Sequence, residues 1–298
     1  MAPISVAEDR DKQSAALTSL VAAVGLTGMK LVVGLLTGSL GILAEAAHSG
    51  LDLVAALMTF LAVRFSSRPP DRTHLYGHGK IENLSAMSET MLLLVTCAWI
   101  VWEAVRRLFF HRIEVEVTAW SFAVMLVSIA VDASRSRVLA RAAVRYHSQA
   151  LEADALHFQT DIWSSIVVIV GLICVKVGEW LPQAGFLSQA DAVAALGVSA
   201  VVVWISVQLG RRTIDALVDR APSGMEQRIS AAVAAVPGVR DCHQVRVRYS
   251  GPMLFVDLHV LVDGSQTLAQ AHDLTETIEA AIHRFVPRAD ITVHPEPF

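Results

Sequence analysis

Two histidine–aspartate pairs recur at the same spacing in predicted apolar helices, one inside a long apolar stretch and the other where the fifth helix opens. His48 precedes Asp52 by four residues, and His157 precedes Asp161 by four residues. On a helix, residues four apart lie on one face, one turn above the other. Two such helices facing each other would supply two imidazoles and two carboxylates, a ligand set that suits a tetrahedral Zn²⁺ ion. Each pair could instead be a structural hydrogen bond between helices, but two identical pairs favour a metal site.

Neighbouring carboxylates leave a second chemistry open. Glu45 and Asp154 each precede a histidine by three residues, and di-iron carboxylate bundles use Glu-x-x-His from two helices with a glutamate from each of two others. Glu89 and Glu103 are the available extra ligands, but both fall on one predicted helix. An intramembrane metalloprotease would need His-Glu-x-x-His, which the sequence lacks. A di-metal enzyme therefore ranks below a site that binds a single ion.

Two further groups of histidines lie outside the apolar stretches. Asp71, His74 and His78 share one polar loop at spacings that allow a second metal site, although loop histidines are commonly just solvated. Near the C-terminus, a tail rich in histidine could form a third site where strand ends converge, or could simply carry surface histidines. Its candidate ligands are His243, His259, His272, His294 and Glu296.

The elements that carry the two histidine–aspartate pairs read as membrane spans. The chain of 298 residues is 54% hydrophobic and 17% charged, whereas soluble domains carry about 25% charged residues. A span needs roughly 20 mainly apolar residues, and six stretches approach or exceed that length. They are Ala15–Leu36, Leu40–Val63, Leu84–Trp102, Thr118–Ala133, Ile162–Val177 and Ala190–Leu209.

The last part of the chain has a different composition and predicts a soluble domain. We divide the chain into a six-helix transmembrane domain, residues 1–213, and a tail, residues 214–298. The tail is predicted as helix, strand, strand, helix, strand, an αββαβ order that gives a small metallochaperone-like α+β domain with its helices on one face of a sheet. The fold class is thus an α-helical membrane protein with a C-terminal α+β domain.

Charge distribution orients the helices and excludes one class of partner. Lys and Arg in the loops after the second, fourth and sixth spans outnumber those on the other side, and cytoplasmic loops carry the excess of positive charge. Both termini and the tail are therefore predicted to be cytoplasmic. The formal net charge of −4, without a basic stripe, argues against nucleic-acid binding. The three cysteines form no CxxC and predict no disulfide framework.

Taken together, the motifs resemble the cation diffusion facilitator family. The resemblance rests on the first His-x-x-x-Asp pair, the segment around the second (residues 153–161), the loop Tyr76-Gly-His78-Gly-Lys80 and the histidine-rich tail. It implies a homodimer of six-helix protomers in the lipid of the inner membrane, exchanging cytoplasmic metal for external protons. It also implies that Lys80 and Asp219 form an interlock between the membrane and tail regions.

The resemblance assigns three groups of metal ligands. The transport site would be His48, Asp52, His157 and Asp161; the loop site Asp71, His74 and His78; and the tail sites His243, His259, His272, His294 and Glu296. Some relatives carry aspartate where His48 stands, and the His-Asp/His-Asp combination looks like the zinc-selective version. Some also carry aspartate at the position of Glu296, so the longer side chain here alters that ligand.

These features predict a secondary active transporter rather than an enzyme. It would export divalent transition-metal ions, Zn²⁺ above others, in exchange for protons by alternating access, with Zn²⁺ also bound as a regulatory ion. Iron, cobalt, nickel, manganese and cadmium stay open as substrates. Two functions of other classes remain as alternatives, namely a membrane di-metal enzyme and a metal sensor that transports nothing.

Overall fold

The computed structural model describes residues 6–109, 119–180 and 190–298. Six long helices come first, followed by a small domain of two helices and three strands. The helices of the first part are α1 (Val6–Thr37), α2 (Leu40–Ser66), α3 (Lys80–Phe109), α4 (Ala119–Tyr146), α5 (Gln149–Trp180) and α6 (Ala190–Leu217). The tail contains α7 (Met225–Ala234), β1 (Asp241–Ser250), β2 (Met253–Val262), α8 (Leu268–His283) and β3 (Ala289–Pro297).

The six long helices form a bundle whose outer surface is apolar. Large hydrophobic side chains such as Leu36, Trp99 and Trp204 are exposed on it, as expected of surfaces that face lipid. Within the described residues, three stretches are long and apolar enough by themselves to cross a membrane, and they lie in α1, α2 and α3. Every helix of the bundle has at least 27 residues, or about 40 Å at a rise of 1.5 Å per residue.

Two helices extend well beyond their predicted spans, which corrects the sequence-based bounds. The fourth and fifth spans were predicted as Thr118–Ala133 and Ile162–Val177, with Asp154 opening the fifth helix, but α4 continues to Tyr146 and α5 begins at Gln149. The extra turns of α4 carry arginines and those of α5 carry carboxylates, so both are too polar to be recognised as spans. They are nevertheless helical because one face packs in a buried cluster with α1 and α2. The sixth helix also runs on to Leu217, past residue 213.

The connection between α1 and α2 shows how local sequence fixes a helix boundary. Gly38 adopts a left-handed conformation with φ +66°, which glycine reaches without steric cost. The Ser39 side chain then caps α2 by accepting a hydrogen bond from the Ile42 N–H, as serine commonly does at a helix N-terminus. The two helices consequently form a tight antiparallel hairpin.

The tail has the predicted αββαβ order. Its sheet has the strand order β1-β2-β3, with β1 antiparallel and β3 parallel to β2. Helix α8 provides the crossover that a parallel pair requires. Buried side chains of both helices, including Ile229 and Ile278, form one core with Val256 and Leu258 of the central strand. The helices therefore cover one face and leave the other free to present polar side chains.

Candidate metal centre

The two histidine–aspartate pairs come together where α2 and α5 face each other; we call His48, Asp52, His157 and Asp161 the quartet. His157 Nε2 lies 3.1 Å from Asp52 Oδ1 and 3.6 Å from Asp161 Oδ2. His48 Nε2 lies 3.9 Å from Asp161 Oδ1 and 4.0 Å from Asp52 Oδ1. Tetrahedral zinc bonds of about 2.0–2.1 Å would place neighbouring ligand atoms about 3.3–3.4 Å apart. The observed distances run from 3.1 to 4.0 Å. One ligand atom each from His48, Asp52 and Asp161 lies within 4.8 Å of the other two, and His157 joins them through its contacts with both aspartates.

One carboxylate oxygen of the quartet accepts no hydrogen bond within the described residues. Asp161 Oδ2 is buried and accepts no hydrogen bond from the described part of the chain. A buried polar atom without a partner is costly, and ionisable groups within a membrane helix usually mark an ion path. A bound cation would interact favourably with this oxygen. The missing hydrogen bond therefore supports a metal site independently of the distances between the ligands.

The first two helices position the α2 half of the quartet. Lys30 of α1 donates hydrogen bonds to Glu45 Oε2 at 3.2 Å and Ser49 Oγ at 2.7 Å, so it holds α2 on both sides of His48. The backbones also approach closely, because a Cβ added at Gly34 would lie 2.8 Å from a side-chain carbon of Leu43. Small residues permit such close packing of membrane helices.

Side-chain exposure rises steadily along the quartet. We call the end of the bundle formed by the C-terminus of α2 and the N-termini of α3 and α5 the tail end, since the tail contacts it. From that end outward, His157 is 3% exposed, Asp52 12%, Asp161 19% and His48 45%. Buried side chains between the quartet and the tail end include Val63. In this structure the quartet side chains nearer the tail end are therefore buried, and His48, nearer the far end, is partly exposed.

The carboxylates considered for a di-metal site have other partners. Glu45 pairs with Lys30, Glu89 accepts a hydrogen bond from Thr59, and Asp154 is 3.4 Å from the Ser19 hydroxyl. Within the described residues, none of the three belongs to a group of ligand atoms close enough to share an ion. The geometry therefore favours the quartet over the di-iron arrangement.

The predicted loop ligands also meet; Asp71, His74 and His78 form the loop cluster. His74 Nδ1 is 3.2 Å and His78 Nε2 is 3.4 Å from the Asp71 carboxylate. Backbone N–H groups of His74 and Thr73 donate to Asp71 Oδ1, and these hydrogen bonds lower the Asp71 pKa below its usual range. Asp71 thus stays ionised, as a metal ligand must be.

Three strands of the tail each place one histidine at the same level. His243 pairs with His259 across β1 and β2, and His259 pairs with His294 across β2 and β3. Glu296 lies beside this row, with Oε1 2.8 Å from His259 Nδ1 and Oε2 3.3 Å from His243 Nε2. We call His243, His259, His294 and Glu296 the tail cluster. The hydrogen bond from His259 lowers the Glu296 pKa, which keeps this carboxylate available to a cation.

Two other tail residues lie outside the tail cluster or are poor ligands. His272 lies on α8, where its Nε2 is 3.6 Å from Glu276, so the fold does not bring it into the tail cluster. Burial, with a contribution from Asp241, raises the pKa of the Cys242 thiol. Since the thiolate is the ligand form, Cys242 is a poor candidate despite its position next to His243.

The membrane part and the tail are joined by an ion pair and an aromatic contact. Lys80 Nζ, at the start of α3, lies 2.9 Å from Asp219 Oδ1, and Arg248 of β1 lies 3.5 Å from the other Asp219 oxygen. The Arg248 guanidinium also stands over the rings of Tyr76 and Phe255. The two residues predicted as an interlock are thus in direct contact.

A backbone contact beside this ion pair was not predicted. The Gly251 N–H, in the turn between β1 and β2, donates to Asn83 Oδ1 at 3.0 Å. A Cβ added at Gly79 would lie 2.3 Å from the Ser250 carbonyl oxygen, so the turn packs directly on the backbone before α3. We call Gly79, Asn83, Ser250 and Gly251 the joint. Only the glycines in the sequence hint at it.

Sequence reasoning also missed a buried ion pair at the tail end. Lys12 of α1 donates to Glu82 of α3, and both side chains are almost fully buried. Each residue falls at the edge of a predicted span, where a charged side chain would normally face solvent. No local pattern indicates that the two meet across 70 residues of sequence.

Comparison with known proteins identifies the family. The family model for the cation efflux transmembrane domain matches residues 16–218, and that for the cation efflux protein cytoplasmic domain matches residues 221–298. The cation-efflux pump FieF of Pectobacterium carotovorum subsp. carotovorum (strain PC1) is 31% identical over 290 residues, covering 95% of this chain and 92% of the relative. An uncharacterized transporter of Synechocystis sp. (strain ATCC 27184 / PCC 6803 / Kazusa), sll1263, is 35% identical over 287 residues, covering 95% and 89%.

A solved structure resembles the tail. MamM-CTD 215-293 is 34% identical and covers 24% of this chain and 92% of its own, with a TM-score of 0.23. Matched almost from end to end by two domains of cation efflux proteins, the chain is a membrane transporter rather than an enzyme, and it belongs to the cation efflux, or cation diffusion facilitator, family.

Proposed function

We propose that this protein exports divalent transition-metal ions, above all Zn²⁺, from the cytoplasm in exchange for protons. The quartet is the observation that carries the proposal. It brings two imidazoles and two carboxylates together, with nitrogen–oxygen distances of 3.1 to 4.0 Å, and the buried Asp161 Oδ2 accepts no hydrogen bond from the described residues. Zn²⁺ accepts this mixture of nitrogen and oxygen ligands, whereas Mg²⁺ and Ca²⁺ prefer oxygen alone.

Exchange for protons follows from the chemistry of the ligands. Each histidine must be neutral and each aspartate ionised before the quartet can bind a metal ion, so metal and protons compete for the same lone pairs. A quartet that releases Zn²⁺ to the outside would take up protons there and lose them on the cytoplasmic side. The same side chains then carry both ions in opposite directions.

Alternating access is supported by the difference between the two ends of the bundle. His157, towards the tail end, is buried, and His48, towards the far end, is 45% exposed. The excess of arginines and lysines in the short loops at the tail end supports a cytoplasmic position for that end. The structure then corresponds to an outward-open state, in which the ion is released. A second state, open at the tail end, would load the ion.

The loop and tail clusters fit a regulatory role. Both present ionised carboxylates with imidazoles outside the bundle, so they bind metal without being on the transport path. Metal bound there would shift the balance between the two states only by binding one of them more tightly. We further propose that the protein works as a homodimer, with the tail as the metal-dependent contact between protomers.

Zinc flux into proteoliposomes under an imposed pH gradient tests the proposal. Asp161→Ala removes the carboxylate with the unpartnered oxygen and should abolish gradient-driven flux. The matched control is Asp273→Ala, which removes an exposed carboxylate from α8 and should transport like the wild type. Equal flux in both variants would exclude the quartet as the transport site. A wild-type protein that binds zinc but never moves it would instead be a sensor, or would carry another ion.

A further inference from the structure

A buried polar cluster closes the tail end of the bundle, where the proposed transport cycle requires an opening. Lys12 Nζ donates to Glu82 Oε1, and the same carboxylate accepts hydrogen bonds from Ser66 Oγ at 2.7 Å and from Ser148 Oγ. Lys12 is 4% exposed and Glu82 is fully buried. We call these four residues the latch.

The latch joins four separate parts of the bundle. Lys12 belongs to α1, Ser66 to the last turn of α2, Glu82 to the first turn of α3, and Ser148 to the turn between α4 and α5. The helices α2 and α5 also carry the quartet. Any movement that separates α2 from α5 at the tail end must therefore pull at least one hydrogen bond away from Glu82.

Contacts on either side attach the same end of α1 to its surroundings. Glu8 pairs with Arg288 of the tail at 2.7 Å, and Asp11 accepts a hydrogen bond from the Tyr146 hydroxyl at 3.1 Å. Lys12 therefore approaches Glu82 from a helix end that is held in place. Its position is not that of a mobile surface side chain.

A buried ion pair has two favourable arrangements and a costly intermediate one. When the partners are together, the Coulomb attraction and hydrogen bonds offset the loss of hydration, and when they are apart, both must be hydrated. A single partner left in the dry interior is strongly unfavourable. Such a pair contributes little to overall stability but separates a closed, dry end sharply from an open, wet one.

We propose that Lys12 and Glu82 hold the cytoplasmic gate of the metal pathway closed, and that the pair separates and hydrates each time the quartet is loaded. The proposal rests on the transport function argued above. In this proposal the Lys12–Glu82 pair sets the equilibrium between the tail-closed and tail-open states and does not bind metal. Removing one charge should therefore shift the protein towards the tail-open state.

Thiol labelling measures this balance without any transport. In protein whose native cysteines are replaced by serine, Ala143→Cys reports from the buried cluster near the tail end, and Ala47→Cys reports from an exposed position beside His48 on the far side of the quartet. Lys12→Met should raise the labelling rate at position 143 about tenfold and lower it at position 47. General loosening of the fold would raise both rates, so the opposite changes distinguish a gate from a damaged structure.

Three further variants complete the test. Lys12→Arg should restore both rates, because it keeps the charge. Lys12→Met combined with Glu82→Met should also return them towards wild type, since an apolar pair can replace a buried ion pair. Arg220→Met breaks the exposed pair with Asp215 and should change neither rate. Rates at positions 143 and 47 that are the same in Lys12→Met as in wild type, or that rise together, overturn the gate assignment.

Zinc flux measured on the same samples separates the two proposals. Opposite labelling changes in a protein that never transports zinc would leave the gate in place and remove the transport function. Gradient-driven zinc flux with unchanged labelling rates in Lys12→Met would support the transport function and exclude the gate.

Discussion

Substituting Gly79 by alanine is the most direct way to separate the tail from the membrane domain without touching a charge or a metal ligand. The added Cβ would lie 2.3 Å from the Ser250 carbonyl oxygen and 2.8 Å from its carbonyl carbon. An ordinary carbon–oxygen contact is more than 3 Å, so the turn between β1 and β2 must retreat by about 1 Å. Both clashing atoms are backbone, and no side-chain rotation can relieve them.

The size of the effect follows from the contacts that this retreat breaks. The hydrogen bond from the Gly251 N–H to Asn83 is worth about 1 kcal/mol. The edge-on contact between the Tyr76 and Phe255 rings, at 5.5 Å, contributes about 0.5–1.5 kcal/mol. Loss of both removes about 2 kcal/mol, which corresponds to roughly a 30-fold weaker docking of the turn.

Hydrogen exchange of the full-length protein measures this directly, because the Gly251 amide is the donor. In Gly79→Ala its exchange should be about 30 times faster than in wild type. In Asn83→Ala, which removes the acceptor together with the hydrogen bond from Asn83 to Gln149, it should be about five times faster. Gly25→Ala is the control, since its added Cβ meets no atom within 4 Å. Unchanged exchange of the Gly251 amide in Gly79→Ala would refute the joint as described.

Two further predictions concern the clusters outside the bundle. His259→Ala removes the histidine shared by both strand pairings, so the zinc concentration dependence of flux should shift while some flux remains. His272→Ala, outside the tail cluster, should match wild type. A shift in His272→Ala without one in His259→Ala would contradict the ligand assignment. Asp71→Ala should speed exchange of the Thr73 and His74 amides at neutral pH, while in wild type their protection should persist as the pH falls to about 4. Because the Asp71 pKa is lowered, the stabilisation of the turn is fully present above the ordinary aspartate pKa and is lost only as the pH falls towards the lowered pKa. Loss of amide protection near pH 6 would therefore argue against this role of Asp71.

The parts of the structure that sequence predicted are those with local periodicity. The quartet follows from the helical repeat of four, which places His48 with Asp52 and His157 with Asp161 before any contact is known. The αββαβ order of the tail follows from turn residues between short apolar stretches. In both cases the signal lies within one element.

The parts that sequence could not predict depend on pairings between distant elements. The row of tail histidines requires β3 to lie parallel to β2 in one particular register, and nothing local sets that register. Lys12 and Glu82 are distant in sequence and resemble ordinary charges at helix ends. His272 is a histidine of the tail that the sequence groups with the other candidate ligands, but the fold holds it on α8 beside Glu276, away from the tail cluster.

Arg248 has a consequence for exchanging parts among members of the family. Its guanidinium belongs to the tail, yet it contacts Asp219, which follows the last membrane helix, and Tyr76 in the loop before α3. A chimera that joins this membrane domain to a foreign tail at a boundary after Asp219 would retain Asp219 and Tyr76 and lose Arg248. Functional hybrids should therefore need the donor tail to bring an arginine at the same strand position, together with a glycine-containing turn that fits against Gly79. The docking of the tail thus depends on residues in both domains, so a tail can be exchanged only together with the residues that contact the membrane domain.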